Sequence, residues 1–161
     1  MSQLTGREPG VGGAALQDPD SYCGIIVDGH HVDPVVLNIA LRAKRHDRFM
    51  LVTDAMPCAG TDLTSFMLQG RHIRVEGDYC VDDAGTLAGT ALTMDRAVRN
   101  ANALLGLPLA TTIRMASEYP AAFLRRSGEV GRIAPGCRAN FVAVDAALSV
   151  RQTWIDGQLL P

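Results

Sequence analysis

Two short apolar runs in the first third of the chain each lead to an aspartate. Residues 25–27 read "IIV" and are followed by Asp28, whereas residues 49–52 read "FMLV" and are followed, after one threonine, by Asp54. Continuous apolar runs bounded by polar residues are typical of strands that are buried on both faces. We therefore predict two buried strands, each with a carboxylate at its carboxyl end.

The segment between these runs predicts a helix. Asp33 and Pro34 form a typical helix start, in which the aspartate caps the helix and the proline occupies its first turn. Residues 35–45 ("VVLNIALRAKR") continue the helix, and Lys44 and Arg45 would lie in its last turn, where the helix dipole favours cations. Strand, helix and strand in this order predict a parallel sheet of α/β type.

The segments on either side of this unit predict further elements. Residues 1–21 are interrupted by glycines and predict an irregular loop, whereas residues 66–85 alternate apolar and polar positions between glycine turns and predict a small β-excursion. An amphipathic pattern after Thr93 predicts a helix that ends at Gly106.

Two more helices and a terminal β-region complete the predicted pattern. Residues 110–119 predict one helix, and another is expected to begin near Pro120. From Gly128 onward, β-type segments return as "GRIAPG", "ANFVAVD" and "VRQTWIDGQLL". We expect a boundary here that divides the chain into domains 1–127 and 128–161.

Composition limits the class of protein and partner. The chain has 161 residues, of which 47% are hydrophobic, and a formal net charge of −2, so we expect a folded core and no nucleic-acid or membrane partner. No apolar stretch approaches the roughly 20 residues that span a bilayer, and the polar, glycine-rich start does not resemble a signal peptide. The 4 cysteines form no CxxC pair, which favours a reduced, cytoplasmic protein.

The residues after the two strands are the first candidates for a functional site. Because the carboxyl ends of parallel strands gather at one face, Asp54 and a histidine from the neighbouring strand end could act as a base and a polarising group. His30 and His31 are adjacent, so on an extended segment at most one of them should face this site. Asp54 could alternatively cap the next segment or pair with an arginine.

Two glycine-containing segments are weaker candidates. Residues 85–90 ("GTLAGT") form a small-residue loop ahead of a helix, whose amides could bind polar substrate atoms, although a simple turn is the commoner explanation. Arg7 lies in "TGREPG", and its guanidinium suits a phosphate, although a lone arginine is usually solvated.

Five of these segments together resemble one family. "LTGREPG", "YCGIIVDGHHVD", "LVTDAMPCAG", "GTLAGTALTMDRAVRN" and "RMASEYPA" are similar, in this order, to segments of N-acetylglucosamine-6-phosphate deacetylase, of the amidohydrolase superfamily. The resemblance implies an α/β fold: the C-terminal part of a (β/α)8 TIM barrel of the metal-dependent hydrolase type. Residues 24–32 would be the seventh barrel strand and residues 49–55 the eighth, and the chain from about Gly128 would form the C-terminal strands of a small β-sandwich.

The same resemblance implies roles for single residues. Asp54 would be the catalytic general acid/base, which takes a proton from a metal-activated water and then delivers it to the departing amine. The substrate-binding residues would be Arg7, His31, Leu87, Ala88 and Gly89. Arg7 would grip the sugar phosphate and would serve the site of the neighbouring subunit of a homodimer.

The resemblance also implies groups that this chain lacks. The family's ligands for a divalent metal, which is expected to be zinc, are a glutamate and two histidines upstream of the position that matches Met1, so we expect no metal ligand in this chain. The chain is predicted to be a fragment of a cytoplasmic, metal-dependent enzyme. This enzyme would hydrolyse N-acetylglucosamine 6-phosphate to glucosamine 6-phosphate and acetate, and the fragment alone is expected to be inactive. Two alternatives stay open: another amide hydrolase of the superfamily, and an inactive remnant that acts as an assembly module.

Overall fold

The computed structural model describes residues 4–161 and has an α/β architecture. The α-helices are α1 (Gly10–Gln17), α2 (Pro34–Ala43), α3 (Met94–Leu105), α4 (Leu109–Ala116) and α5 (Glu118–Phe123), and a short 3-10 helix covers His46–Arg48. The strands are β1 (Cys23–Ile25), β2 (Phe49–Leu51), β3 (Ser65–Leu68), β4 (Arg71–Glu76), β5 (Tyr79–Asp82), β6 (Leu87–Thr90), β7 (Phe141–Val144), β8 (Val150–Ile155) and β9 (Gln158–Leu159). No helix among these residues is long and apolar enough to cross a membrane.

The predicted strand–helix–strand unit is present, and its two strands are parallel. Ile25 lies opposite Leu51, and the Val52 amide extends the pairing by donating to the Ile25 carbonyl at 3.0 Å. α2 joins the strands, and the Asp33 carboxylate caps it by accepting the Val35 amide at 2.8 Å. Local sequence signals are therefore sufficient to define this unit.

The predicted place of Lys44 in the last turn of α2 is wrong. α2 ends at Ala43, and Lys44 is buried, with 7% of its surface exposed. Its ammonium stabilises the end of α1 instead, where unpaired carbonyls and the helix dipole favour a cation. Its acceptors are the carbonyls of Ala15 and Asp18 and the hydroxyl of Ser21. Arg45 also lies outside α2, where it pairs with Asp47.

The irregular loop predicted over residues 1–21 contains the helix α1, so this prediction is wrong for residues 10–17. α1 has no side-chain cap and no buried residue. It forms because Leu16 packs against the main core and because Lys44 binds carbonyls at its C-terminal end. Residues 1–3 lie outside the described part of the chain.

The predicted β-excursion is a four-stranded antiparallel sheet in the order β3-β4-β5-β6. The loop predicted over residues 85–90 is wrong in part, because Leu87–Thr90 form the strand β6, which pairs with β5. The turn before β6 is organised by Asp82, whose carboxylate accepts the amides of Ala84 and Thr86 at 3.0 and 2.8 Å.

The helices that follow pack on the parallel pair. α3 begins after Thr93 and ends at Gly106, whose φ of 65° is the left-handed cap that glycine favours. The helix predicted over residues 110–119 is divided at Ser117 into α4 and α5. The main core contains buried side chains of β1, β2, the facing helices and the segments that connect them: Ile25, Val27, Leu37, Leu41, Phe49, Leu51, Leu92, Ala97, Val98, Ala101, Leu105, Leu107 and Met115. A second cluster, made of Cys58, Ile73 and Cys80, lies under the β3–β6 sheet.

The C-terminal segment forms a separate three-stranded antiparallel sheet in the order β7-β8-β9. Two of the three predicted β-segments are present in it, whereas residues 131–136 ("GRIAPG") form turns. Gly131 and Gly136 both have a left-handed φ, at 94° and 86°, which is incompatible with a continuous strand.

Candidate active site

The two strand-end aspartates lie at the same level of the parallel pair. Ile25 is paired with Leu51, and Asp28 and Asp54 each follow their paired residue by three positions. Neighbouring parallel strands keep their register, so both carboxylates reach the same edge of the sheet. His31 lies between them and contacts both.

Asp28 is the buried end of this group. Its side chain has no exposed surface, and one carboxylate oxygen accepts the amides of His30 and His31, both at 3.0 Å. The other oxygen lies 2.6 Å from His31 Nδ1. Burial alone would raise the pKa of Asp28, but these hydrogen bonds outweigh burial and hold the pKa below its ordinary value of 3.8. Asp28 is therefore ionised at neutral pH.

Asp28 fixes the tautomer and the orientation of His31. An ionised carboxylate can only accept a hydrogen bond, so His31 Nδ1 must carry the proton and donate. Nε2 then faces Asp54 Oδ2 at 3.5 Å, a separation that suits a polar ligand group held by both. The exposed fraction of the side chain rises from 0% at Asp28 through 17% at His31 to 48% at Asp54. The three groups thus lead from the protein interior to solvent.

Asp54 has a backbone conformation that is common at functional sites. Its φ of 52° is left-handed, which few residues other than glycine adopt. β6 holds this conformation, because the Thr90 amide donates to the Asp54 carbonyl at 3.0 Å and the Thr90 hydroxyl donates to the Thr53 carbonyl at 2.7 Å. Within residues 4–161, the basic side chain that contacts the Asp54 carboxylate, at 3.5 Å, is His31 and not an arginine.

Gly89 approaches Asp54 so closely that a side chain would not fit. A Cβ at this position would lie 3.0 Å from the Asp54 carbonyl oxygen and 2.6 Å from Met56 Cγ, and the backbone φ is 113°. Leu87 is exposed and Ala88 packs against the second cluster, so Gly89 is the one of these three predicted substrate-binding residues that lies against Asp54.

The two adjacent histidines have different surroundings. His31 faces Asp54, whereas the exposed His30 ring contacts Tyr79, with ring centroids 4.4 Å apart. This agrees with the expectation that at most one of the two faces the strand-end site.

Arg7 lies in the exposed loop before α1 and is not brought into contact with this group. Its amide donates to the Thr5 hydroxyl at 3.4 Å, while its guanidinium has no hydrogen-bond or ion-pair partner among the described residues. The role predicted for Arg7 therefore remains a prediction.

The described residues do not fit a complete metal centre. Across residues 4–161, no group of three or more His, Cys, Asp or Glu side chains converges in a way that could hold an ion. His31 and Asp54 together offer two donors, whereas a catalytic zinc site uses about three protein ligands.

Asp28 and Thr90 also belong to this site, although the sequence patterns predict no individual role for either residue. Asp28 has a recognisable signal, because an aspartate that precedes two polar residues in a "DGHH" segment can accept their amides in an Asx-type turn. Thr90 has none, because its role depends on the contact between β6 and the segment after β2.

Comparisons with known proteins agree with this architecture. Residues 4–160 match the amidohydrolase family. The N-acetylgalactosamine-6-phosphate deacetylase of Shewanella sp. (strain ANA-3) is 44% identical over 160 residues, which cover 99% of this chain and 40% of that protein. The crystal structure of N-acetylglucosamine-6-phosphate deacetylase from Pasteurella multocida superposes with a TM-score of 0.95 at 39% identity, covering 99% of this chain and 42% of that one.

The chain thus spans about 40% of the length of these two proteins. A shorter relative from Escherichia coli (strain K12) is 41% identical over 159 residues, and the match covers 95% of its length. Because the family match extends over nearly every described residue, this chain belongs to the amidohydrolase family, and its relatives include amino-sugar 6-phosphate deacetylases.

Proposed function

We propose that this chain carries the proton-transfer and substrate-binding part of an N-acetyl amino-sugar 6-phosphate deacetylase. The observation that supports it is the line of groups from buried Asp28 through His31 to exposed Asp54, at the carboxyl ends of two parallel strands. A structural ion pair would need no such gradient of exposure, whereas a site that handles protons needs one fixed end and one end open to substrate.

Asp54 is the general acid/base in this proposal. The reaction joins a water oxygen to the acetyl carbonyl carbon and breaks the carbon–nitrogen bond. Asp54 takes a proton from the attacking water and returns it to the sugar nitrogen, which leaves poorly unless it is protonated. Acetate and the free amino sugar are the products. The side chain is suited to both steps because it is half-exposed and its backbone is held from behind by Thr90.

His31 binds and orients the substrate. Asp28 keeps its Nδ1 protonated, so Nε2 points to the space beside Asp54, where a polar substrate group would lie. We assign the backbone of Leu87, Ala88 and Gly89 to the same space, and the close approach of Gly89 to Asp54 supports this assignment. Arg7 is assigned to the phosphate, in the site of a neighbouring subunit, since its guanidinium is exposed.

The architecture proposed for the active enzyme is a (β/α)8 barrel with β1 and β2 as its seventh and eighth strands. Within the described residues β1 pairs on one side alone, and α2 exposes Val35, Val36 and Ile39 by 54% to 66%. Both features support packing against further barrel units. We assign residues 128–161 to a small β-sandwich, and metal binding to a glutamate and two histidines outside this chain. The protein is proposed to be cytoplasmic, which its four unpaired cysteines support.

The first candidate substrate is N-acetylglucosamine 6-phosphate. N-acetylgalactosamine 6-phosphate is the second, and the 44% identity to the Shewanella protein favours it. The two differ in the configuration of a single hydroxyl, so both should be assayed.

A chimera tests this proposal. Residues 1–161 replace the matching segment of the Shewanella protein, and acetate release is measured with both substrates. Asp54→Asn should reduce kcat at least roughly 10²-fold with little change in KM, because it removes proton transfer and little binding. Asp62→Asn, at an exposed aspartate, is the matched control and should leave kcat unchanged. A folded chimera without activity, or one that tolerates Asp54→Asn, would show that the proposal is wrong.

A further inference from the structure

Two buried cysteines lie directly behind the candidate active site and have no role in the proposed reaction. The Sγ atoms of Cys58 and Cys80 are 3.4 Å apart, and the two residues are 2% and 0% exposed. Cys58 lies four residues after Asp54, in the turn that follows β2, and Cys80 lies in β5. Cys58 Sγ also lies 3.9 Å from the carbonyl of Thr90, whose amide binds Asp54.

The surroundings of this pair disfavour metal binding and favour a bond between the two sulfurs. Burial, the neighbouring Cys58 thiol and the charge of Asp54 raise the pKa of Cys80 to about 12, so this thiol is protonated at neutral pH. No third metal-binding side chain converges on the pair among residues 4–161, which disfavours a metal site. Two thiols in van der Waals contact with no third ligand are instead placed to bond to each other.

We propose that Cys58 and Cys80 form a covalent modification site, at which a hydroperoxide converts the thiol pair to a disulfide. One thiol sulfur attacks an oxygen of hydrogen peroxide while its proton passes to the leaving hydroxide, which breaks the oxygen–oxygen bond, releases water and leaves a sulfenic acid. The second sulfur then displaces the sulfenic hydroxyl as water and forms the sulfur–sulfur bond. In total, two thiols and one hydrogen peroxide give one disulfide and two waters. Cys58 reacts first, because it lies in a turn, whereas Cys80 lies in a strand that is paired on both sides.

The bond can form by a small movement of the turn. A disulfide is about 2.05 Å long, so the 3.4 Å separation must shorten by about 1.3 Å. β5 is held on both sides, by β4 and by β6, whereas Cys58 lies in a turn closed by local hydrogen bonds from Ala59 to Met56 and from Thr61 to Cys58. The turn is therefore the part that moves. Because both thiols are buried, the reaction proceeds from a transient local opening and is slow.

The disulfide would tie the segment after Asp54 to the β3–β6 sheet. Movement of Cys58 would alter its contact with Thr90, and Thr90 fixes the left-handed conformation of Asp54. Catalytic groups tolerate displacements of only about 0.5 Å, so oxidation should lower activity. This effect on activity rests on the proposed role of Asp54, whereas formation of the bond does not.

The test measures bond formation in the 161-residue chain and needs no enzymatic activity. The wild-type chain and a Cys23→Ser/Cys137→Ser variant, which keeps the pair alone, are exposed to hydrogen peroxide, quenched with catalase, denatured and alkylated with N-ethylmaleimide. In the variant, neither cysteine should be alkylated, and the mass should be about 2 Da below that of the reduced, unalkylated variant. Dithiothreitol should reverse both changes. In the wild type, a cross-linked peptide pair containing Cys58 and Cys80 should appear after proteolysis. The same treatment of Cys58→Ser in the variant background should give no mass decrease.

Each other outcome would overturn the proposal. The peroxide dose is chosen so that it fully oxidises the urea-denatured chain. If both thiols of the folded variant are still alkylated after this dose, the folded pair does not react. A mass increase of about 16 or 32 Da without cross-linking would show oxidation of single sulfurs instead. Cross-links to Cys23 or Cys137 in the wild type would show scrambling. As a structural readout, the ring resonances of His31 should shift in the oxidised chain, while those of the exposed His46, which precedes β2, should not.

Discussion

Substitution of Gly89 by alanine tests the contact between β6 and Asp54. Two costs are expected. Alanine at a φ of 113° is strained by about 1–3 kcal/mol. Its Cβ would also lie 3.0 Å from the Asp54 carbonyl oxygen and 2.6–2.7 Å from Met56, and overpacking of this kind costs about 1–3 kcal/mol. We therefore expect Gly89→Ala to lower the free energy of unfolding by about 2–6 kcal/mol.

Gly85→Ala is the matched control. Gly85 also has a left-handed φ, 78°, but nothing lies within 4 Å of a Cβ built there. Its substitution should cost only the backbone term, about 1–2 kcal/mol. Because both variants carry a backbone cost, the difference between them comes mainly from the close contact of Gly89 with the segment 54–56.

Urea unfolding followed by far-ultraviolet circular dichroism measures both variants in the 161-residue chain. A difference of about 2 kcal/mol, with a slope of about 1–3 kcal/mol per M, separates their midpoints by about 1 M. The double variant Met56→Ala/Gly89→Ala should recover part of the loss, because Met56 supplies two of the three close contacts whereas the Asp54 carbonyl remains. Equal midpoints for Gly85→Ala and Gly89→Ala would refute the contact on which the placement of Asp54 rests.

Three further predictions concern charge and metal. Asp28→Asn should destabilise the chain most above pH 3.8. The pKa of Asp28 is lower in the folded state than in the unfolded state, so its carboxylate stabilises the fold above the unfolded-state pKa. This contribution to the free energy of unfolding is lost as the pH falls through the folded-state pKa. Urea midpoints of both chains at pH 7 and pH 3 check this sign, and a difference that grows at low pH would contradict it. In the chimera, Arg7→Ala should raise KM for the 6-phosphate more than for unphosphorylated N-acetylglucosamine, whereas the exposed Arg132→Ala should change neither. The 161-residue chain alone should hold no stoichiometric zinc and release no acetate. Metal analysis and an acetate assay with added Zn²⁺ check this prediction, and one equivalent of bound zinc with turnover would contradict it.

Much of the parallel unit could be predicted because its signals are local. The apolar runs before Asp28 and Asp54 define the strands, and Asp33 followed by Pro34 defines the start of α2. Strand register then carries both aspartates to one edge of the sheet without further information. Gly106 ends α3 for an equally local reason, since it adopts the left-handed cap.

The predictions that were wrong concern residues whose partners are distant in sequence. α1 has no capping side chain, and the ammonium that binds its last carbonyls comes from Lys44, 26 to 29 residues further along the chain. β6 was indistinguishable from a glycine loop because its strand character comes from pairing with β5. Short-range patterns contain no information about either contact.

Local sequence patterns identify the residues that could carry chemistry, since Asp54 and His31 follow buried strands whatever the rest of the chain does. How these residues are used depends on contacts between distant segments. Asp28 became the buried partner that sets the His31 tautomer, and Thr90 and Gly89 became the supports of the Asp54 backbone. Local patterns cannot predict these roles, because hydrogen bonds and close packing act between groups that meet in space, and burial determines the strength of each contact.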